Sequence, residues 1–166
     1  EAHYEKVLTY NVEELEPQLS CPQGVDNVHG IREVEGTPMD EVYLGSCTNG
    51  SIEDLAIAAE IMKGKHVPET MRFIVVPATN TVFKEAIRRG YIRTFIEAGG
   101  VICHPCCGLC CGMPYGLMYD DERILSTANR NFIGRQGTKK TLSYLCSPAV
   151  AAATALTGVV TDPRKL

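Results

Sequence analysis

The sequence runs to 166 residues, 45% of them hydrophobic, which is enough to build the core of one domain. A net charge of −4, with 16 lysines and arginines against 20 acidic residues, leaves no basic footprint for a nucleic-acid partner. No apolar run approaches a membrane span and EAHYEKVLTY has no signal-peptide core, so a soluble, cytoplasmic protein with no membrane partner is expected.

The chain opens on Glu1 rather than Met, and is expected to be a processed product or a piece of something longer. Residues 1–40 are the least regular part. VEELEPQLSCPQG carries two prolines and a glycine, which favours an extended segment wrapping over the domain rather than a helix. Cys21 reads as a small hydrophobe here, and His29 as structural or solvated.

From Asp40 the pattern turns regular. EVYLGS (41–46) reads as a short apolar strand and CTNG (47–50) as a turn. Ser51 is the expected N-cap of the next helix, with Asp54 completing a capping box. Ile52, Leu55, Ala56, Ala59 and Met62 recur at helical spacing, and Gly64 ends the run. A second unit follows: the strand RFIVVP (72–77), then a helix with Val82, Phe83, Ala86 and Ile87 that Gly90 closes. A short helix over 91–98 stops at Gly99-Gly100 and leads into a strand over 101–103. Another strand over 123–127 runs into ANRNFIGRQG, and Ser147-Pro148 forms an N-cap and N1 pair for AVAAATALTG, which ends at Gly158. Alternating strands and helices predict an α/β fold, a three-layer α/β/α sandwich with a mainly parallel sheet, as a single domain over 1–166. In such sheets the turns after the strands lie at the carboxyl edge, where ligands bind.

Five of the eight cysteines fall between Cys103 and Cys111, in the stretch CHPCCGLCCGM that ends at Met113. Thiolates that dense point to a soft metal or a cluster in a reducing compartment, rather than to a disulfide framework. Two C-x-x-C pairs are present, Cys103/Cys106 and Cys107/Cys110, and Gly108 lets the second turn tightly. That spacing suits zinc and an iron–sulfur cluster equally. Cys47, in a separate strand-end turn, is the remaining strong candidate ligand. Three thiolates can hold a cubane with one iron left open as a Lewis acid, whereas four make an electron carrier. A non-catalytic metal-binding module and a nucleic-acid-binding regulator stand as rivals, the second disfavoured by the charge. His104 reads as a satisfied turn histidine, with a donor role beside the cysteine loop as the alternative.

GSCTNG (45–50), CGLCCG (107–112), STANRNFIGRQG (126–137) and SPAVAAATALTG (147–158), in that order, resemble the signature blocks of the aconitase family. The likeness covers nearly the whole chain and is nearest to the large subunits of the isopropylmalate dehydratase and homoaconitase branch. It implies a [4Fe–4S] cluster with an open iron, ligated by Cys47, Cys107 and Cys110. It also implies that Asn129 lies near the cluster while Arg130 and Arg135 hold a carboxylate of the substrate. The implied activity is that of a hydro-lyase that dehydrates and rehydrates a hydroxy di- or tricarboxylic acid. The partners implied are that small carboxylic acid, the further domains of a large subunit, and a small swivelling subunit, none of them within this chain. The flanking Cys106 and Cys111 depart from the family pattern, as packing residues, oxidation-prone bystanders or competing ligands. Ala128 stands where relatives commonly carry serine, with little consequence expected.

Overall fold

A computed structural model describes residues 2–112 and 115–166, so Glu1, Met113 and Pro114 lie outside the described residues. One seven-stranded sheet organises them. In chain order its strands are β1 (Gln18–Ser20), β2 (Val28–Gly30), β3 (Glu41–Gly45), β4 (Arg72–Val76), β5 (Val101–Ile102), β6 (Arg123–Ser126) and β7 (Leu142–Leu145). Across the sheet they run β2-β1-β7-β6-β3-β4-β5. The five strands from β7 to β5 are parallel, and β1 and β2 join antiparallel beside β7. The helices are α1 (Ile31–Val34), α2 (Ile52–Met62), α3 (Asn80–Arg88), α4 (Tyr91–Glu97) and α5 (Pro148–Thr157). The α/β class with a mainly parallel sheet is therefore the architecture that forms.

Helix starts follow the capping chemistry. Ser51 accepts from the Asp54 amide at 3.2 Å while Asp54 accepts from the Ser51 amide at 3.0 Å, the full reciprocal box. Ser147 accepts from the Val150 amide with Pro148 at the first helical position, and α5 ends on Gly158 in the left-handed conformation. Thr79 caps α3 through the Val82 amide.

The two faces of the sheet are covered unlike each other. Val42, Leu44, Phe73, Val75 and Leu125 point to one face, where α2, α3, α4 and α5 pack on one another and on the strands. The alanines of α5 let its backbone come close to α2 and β3, so that Ala151, Ala152, Ala153 and Ala155 are fully buried. Ile87, counted with the apolar stripe of α3, is instead exposed. The alternate residues Tyr43, Ile74, Val76 and Ile124 point to the opposite face, which the cysteine-rich segment covers with Cys103, Leu109 and Met118. That segment joins edge strand β5 to β6, so it has to cross back over β4 and β3.

Residues 1–40 are more regular than their composition suggests. β1 and β2 pair as Gln18↔Gly30, Leu19↔His29 and Ser20↔Val28, and Thr37 and Met39 bond to the chain just after α5. The signal was weak because the strands are three residues long and gain their regularity from the edge of β7. Asn131 anchors them. Its buried side-chain amide donates to the Cys21 carbonyl at 2.7 Å, Ser20 Oγ at 3.1 Å and the Ser143 carbonyl at 3.3 Å.

At the amino edge of the sheet the loop-covered face holds a buried carboxylate. Glu41 is fully buried, and its Oε2 accepts from Arg72 Nε at 3.0 Å while Oε1 has no hydrogen-bond partner among the described residues. Arg72 also reaches Glu122 Oε1 at 2.9 Å and Met118 Sδ at 3.4 Å. Loss of solvent outweighs the guanidinium and lifts the Glu41 carboxyl to about 7 from its ordinary 4.5.

Two outcomes are expected. Asn131→Ala should cost about 1–3 kcal/mol in urea unfolding and speed hydrogen exchange across residues 18–30, because buried carbonyls lose their donor. A carboxyl whose folded pKa is raised binds its proton more tightly when folded, so stability falls as pH rises from about 4.5 to about 7. Glu41→Gln, which leaves Arg72 its Glu122 partner, should flatten that slope in urea midpoints measured across this window.

Candidate functional site

Strands β3 and β6 are parallel neighbours whose chains leave in opposite directions across the sheet. β3 leads through its turn into α2 and on to β4, whereas β6 leads into the 127–141 loop and on to β7. That divergence opens a crevice at their carboxyl ends, the place where open α/β sheets bind ligands.

The β3 turn is held in an uncommon shape. Gly45 has φ +111 and Ser46, fully buried, has φ +101, in the region that favours glycine. A methyl group on Gly45 would run into the Val76 carbonyl, and one on Gly50 would meet Val76 O at 2.6 Å and Ala78 N at 2.9 Å. The turn is therefore pressed against the end of β4, with Ser46 N–H donating to Val76 O at 3.0 Å. Cys47 follows directly and is exposed. Thr127, buried at the end of β6, ties this turn to the neighbouring strand. Its Oγ1 accepts from the Gly45 amide at 2.7 Å, and its carbonyl accepts from the Asn49 side-chain amide.

The second cysteine pair sits on a 3-10 turn over Gly108–Cys111. Gly108 adopts φ +50 directly above the Tyr43 hydroxyl, where a side chain would have no room. Tyr43 OH also reaches the Cys107 carbonyl at 3.5 Å. Leu109 plugs into the loop-covered core, so Cys107 is exposed and Cys110 is buried. Cys110 Sγ lies 3.6 Å from Asn129 Oδ1, which brings the loop to the end of β6.

Past Thr127 the motif alternates between packing and exposure. Asn129 and Arg130 are exposed, Asn131 is the buried anchor described above, and Arg135 is half-buried with its Nε enclosed and without a hydrogen-bond partner among the described residues. Gln136 is fully buried, donating to Ser126 Oγ at 3.3 Å, and its backbone carbonyl accepts from Met118 N–H at 3.1 Å. Of the residues predicted from sequence, Cys110 and Asn129 are brought into contact. Cys47 is set on the turn tied to β6, two residues before Asn129 in that strand's continuation. Tyr43, Asn49, Thr127 and Gln136 were not singled out from sequence. Tyr43 carried a signal in the strand alternation, whereas Thr127 and Asn49 carried none that distinguishes them from ordinary turn residues.

The remaining cysteines sort by environment. Burial pushes the Cys21 and Cys146 thiols up, and Cys103 likewise, with Cys106 and Glu41 adding to the burial. Cys106 packs against the loop-covered core, and Cys111 Sγ donates to the Gly108 carbonyl at 3.6 Å. His104 is exposed and stacks edge-on against Phe83 at 6.0 Å. His29 is bonded to Glu33 and Asn27, each at 3.0 Å.

Among the described residues, no three His, Cys, Asp or Glu side chains converge tightly enough to hold a single metal ion. A lone zinc draws its thiolates to about 2.3 Å from one point. A cubane instead takes each thiolate on a different iron, so its sulfurs stand farther apart. Two exposed thiols and one buried beside Asn129 leave the crevice open toward solvent. Among the described residues no helix is long and apolar enough to cross a membrane.

Known proteins resemble this chain over most of its length. A family model described as the aconitase family (aconitate hydratase) matches residues 1–158. The chain is 52% identical over 152 residues to 3-isopropylmalate dehydratase large subunit 1 of Archaeoglobus fulgidus, covering 92% of this chain and 36% of that protein. It is 46% identical over 166 residues to the 3-isopropylmalate dehydratase large subunit of Lachnoclostridium phytofermentans, all of this chain and 39% of that protein. It is 48% identical over 166 residues to the probable methanogen homoaconitase large subunit of Methanosarcina mazei, all of this chain and 42% of that protein. The chain thus spans well under half the length of these relatives.

Gly45→Ala and Gly36→Ala separate the two demands on the β3 turn. Both positions have φ above +80, but a methyl group at Gly36 meets nothing within 4 Å. Gly36→Ala should cost about 1–3 kcal/mol from backbone conformation alone. Gly45→Ala should cost clearly more in chemical denaturation, the difference reporting the clash with β4.

Proposed function

The chain belongs to the aconitase family, and from that premise we propose that it supplies the cluster-holding part of an iron–sulfur hydro-lyase. Its substrate class is a hydroxy di- or tricarboxylic acid of the 3-isopropylmalate kind. What supports this reading is that Thr127 ties the turn bearing Cys47 to the carboxyl end of β6, and that two residues further on Asn129 touches Cys110.

Cys47, Cys107 and Cys110 would hold a [4Fe–4S] cluster. When bound, such a cluster supplies a Lewis-acidic iron that stabilises a departing hydroxide and the charge on a neighbouring carboxylate. Asn129, beside Cys110, orients the buried thiol and presents a polar amide to the crevice. Arg130 and Arg135 grip a substrate carboxylate. A guanidinium offers a fixed fork of donors and keeps its charge, and the enclosed, unpartnered Nε of Arg135 is a donor that such an acceptor would satisfy. The proton beside that carboxylate is removed by a base that this reading assigns outside the chain.

Relatives named large subunits imply a small-subunit partner. On that basis residues 1–166 act as one cluster-holding domain, completed by further domains of the large subunit and by a small subunit. Cluster thiolates need a reducing setting, which favours the cytoplasm.

Anaerobic reconstitution with iron and sulfide, followed by electron paramagnetic resonance, tests the proposal. A cubane that loses one iron on mild oxidation to give a three-iron signal, and that fails to assemble in Cys47→Ser, is expected. Tight zinc binding with no cluster would sink the reading. A cluster indifferent to Cys47→Ser would show that the loop cysteines hold it alone.

A further inference from the structure

Cys47 lies more than fifty residues before Cys107 and is exposed on a turn of its own. Something has to place its sulfur relative to the loop thiols, and a turn this exposed does not do so by burial. Its amino side is strained: Ser46, with a side chain, is held at φ +101. Such a conformation persists only where surrounding contacts over-determine it.

Those contacts converge on β6. Thr127 is buried, and its hydroxyl accepts from the Gly45 amide at 2.7 Å while lying 3.3 Å from the Gly45 carbonyl and 3.5 Å from the Asn49 carbonyl. Its own amide donates to the Tyr43 carbonyl at 3.0 Å. In return the Asn49 side-chain amide donates to the Thr127 carbonyl. The two residues thus bracket Cys47, one bond before it and one after it. The same strand end continues through Ala128 to Asn129, whose Oδ1 meets Cys110 Sγ. We infer that Thr127 and Asn49 form a latch that positions Cys47 against the Cys107–Cys110 turn, so that the third thiolate is registered to the other two through β6. Neither residue touches the cluster or substrate in this reading; both are positioning residues. The inference rests on the proposed cluster role of the three cysteines, although the latch itself is a feature of the chain's own hydrogen bonds.

The latch makes demands that simple packing would not. Thr127→Val keeps the shape and removes the hydroxyl, leaving the Gly45 amide buried without its acceptor, whereas Thr127→Ser keeps the hydroxyl. Asn49→Ala cuts the other half from the exposed side, and serves if Thr127→Val folds poorly.

The test uses the full-length subunit and two readouts, hydrogen exchange at the amides of 45–50 and the rate of iron release to a chelator after anaerobic reconstitution. Thr127→Val and Asn49→Ala should each speed both by about fivefold or more, the effect of losing one buried hydrogen bond, with β4 amides unchanged. Thr127→Ser should restore both to near the parent values. Exchange at 45–50 unchanged in both Thr127→Val and Asn49→Ala would overturn the latch. So would acceleration spread equally over β4, which marks a general loss of stability. Faster exchange with unaltered iron release would overturn the link to the cluster. A parent subunit that takes up no iron would overturn the cluster reading itself, and the exchange arm would still decide whether Thr127 and Asn49 hold the turn.

Discussion

The hydrogen bond from the Gly45 amide to Thr127 Oγ1, 2.7 Å long and fully buried, closes the carboxyl end of the β3–β6 pair. Much else depends on it. β3 lies at the centre of the parallel strands, paired along its whole length with β4 and on its other side with β6. All five of its residues are buried, so its end cannot shift without disturbing both faces of the sheet. The turn that carries Cys47 begins at the next residue. Rigid strands delivering short, exposed turns is how this fold offers reactive groups without leaving them mobile.

The unequal faces of the sheet serve that same end. Four helices bury a continuous aliphatic layer on one side, and most of the stabilising apolar area lies there. The other side is left to an irregular segment, which a helix could not replace. A helix would bury its own backbone and hold its side chains at fixed intervals. The 103–122 connection instead turns tightly at Gly108 and Gly112, both at positive φ, and exposes Cys107 while burying Cys110 three positions later on a 3-10 turn. Its anchors are apolar: Leu109 and Met118 sit in the second core cluster with Tyr43, Ile74 and Ile124. A small core under the loop thus carries the geometry above it.

Electrostatics is divided between the two ends of the sheet. The amino edge holds the Glu41–Arg72–Glu122 cluster, where a carboxylate is buried at a cost and its partner arginine is shared. The carboxyl edge carries exposed Arg130 and half-buried Arg135. A cavity of about 400 Å³ lined by Met71, Arg72, Ile74, Val101 and Tyr115 lies toward the amino ends of β4 and β5. Its lining is mainly apolar and takes in Cys103 of the cysteine-rich segment.

Local chemistry determined a large part of this protein from its sequence alone. Ser51 with Asp54, Ser147 with Pro148, and the glycines at 64, 90, 99 and 158 marked helix ends because caps and left-handed stops act within a few residues. The apolar runs at 41–46 and 72–77 read as buried parallel strands for the same reason. The blocks around Cys47, Cys107 and Arg130 identified the family, because the residues that carry a shared chemistry keep their order and spacing. Tertiary structure decided what no short window contains. β1 and β2 became strands because the edge of β7 was there to pair with, and Asn131, within a motif read for its ligands, proved to be the anchor of that edge. Only folding showed that the helices share one face, that Cys103 is buried while Cys146 is half-buried, and that Thr127 meets Gly45 across eighty-two positions of chain. Hydrogen bonds between distant segments depend on register and burial, and these exist only once the sheet has formed.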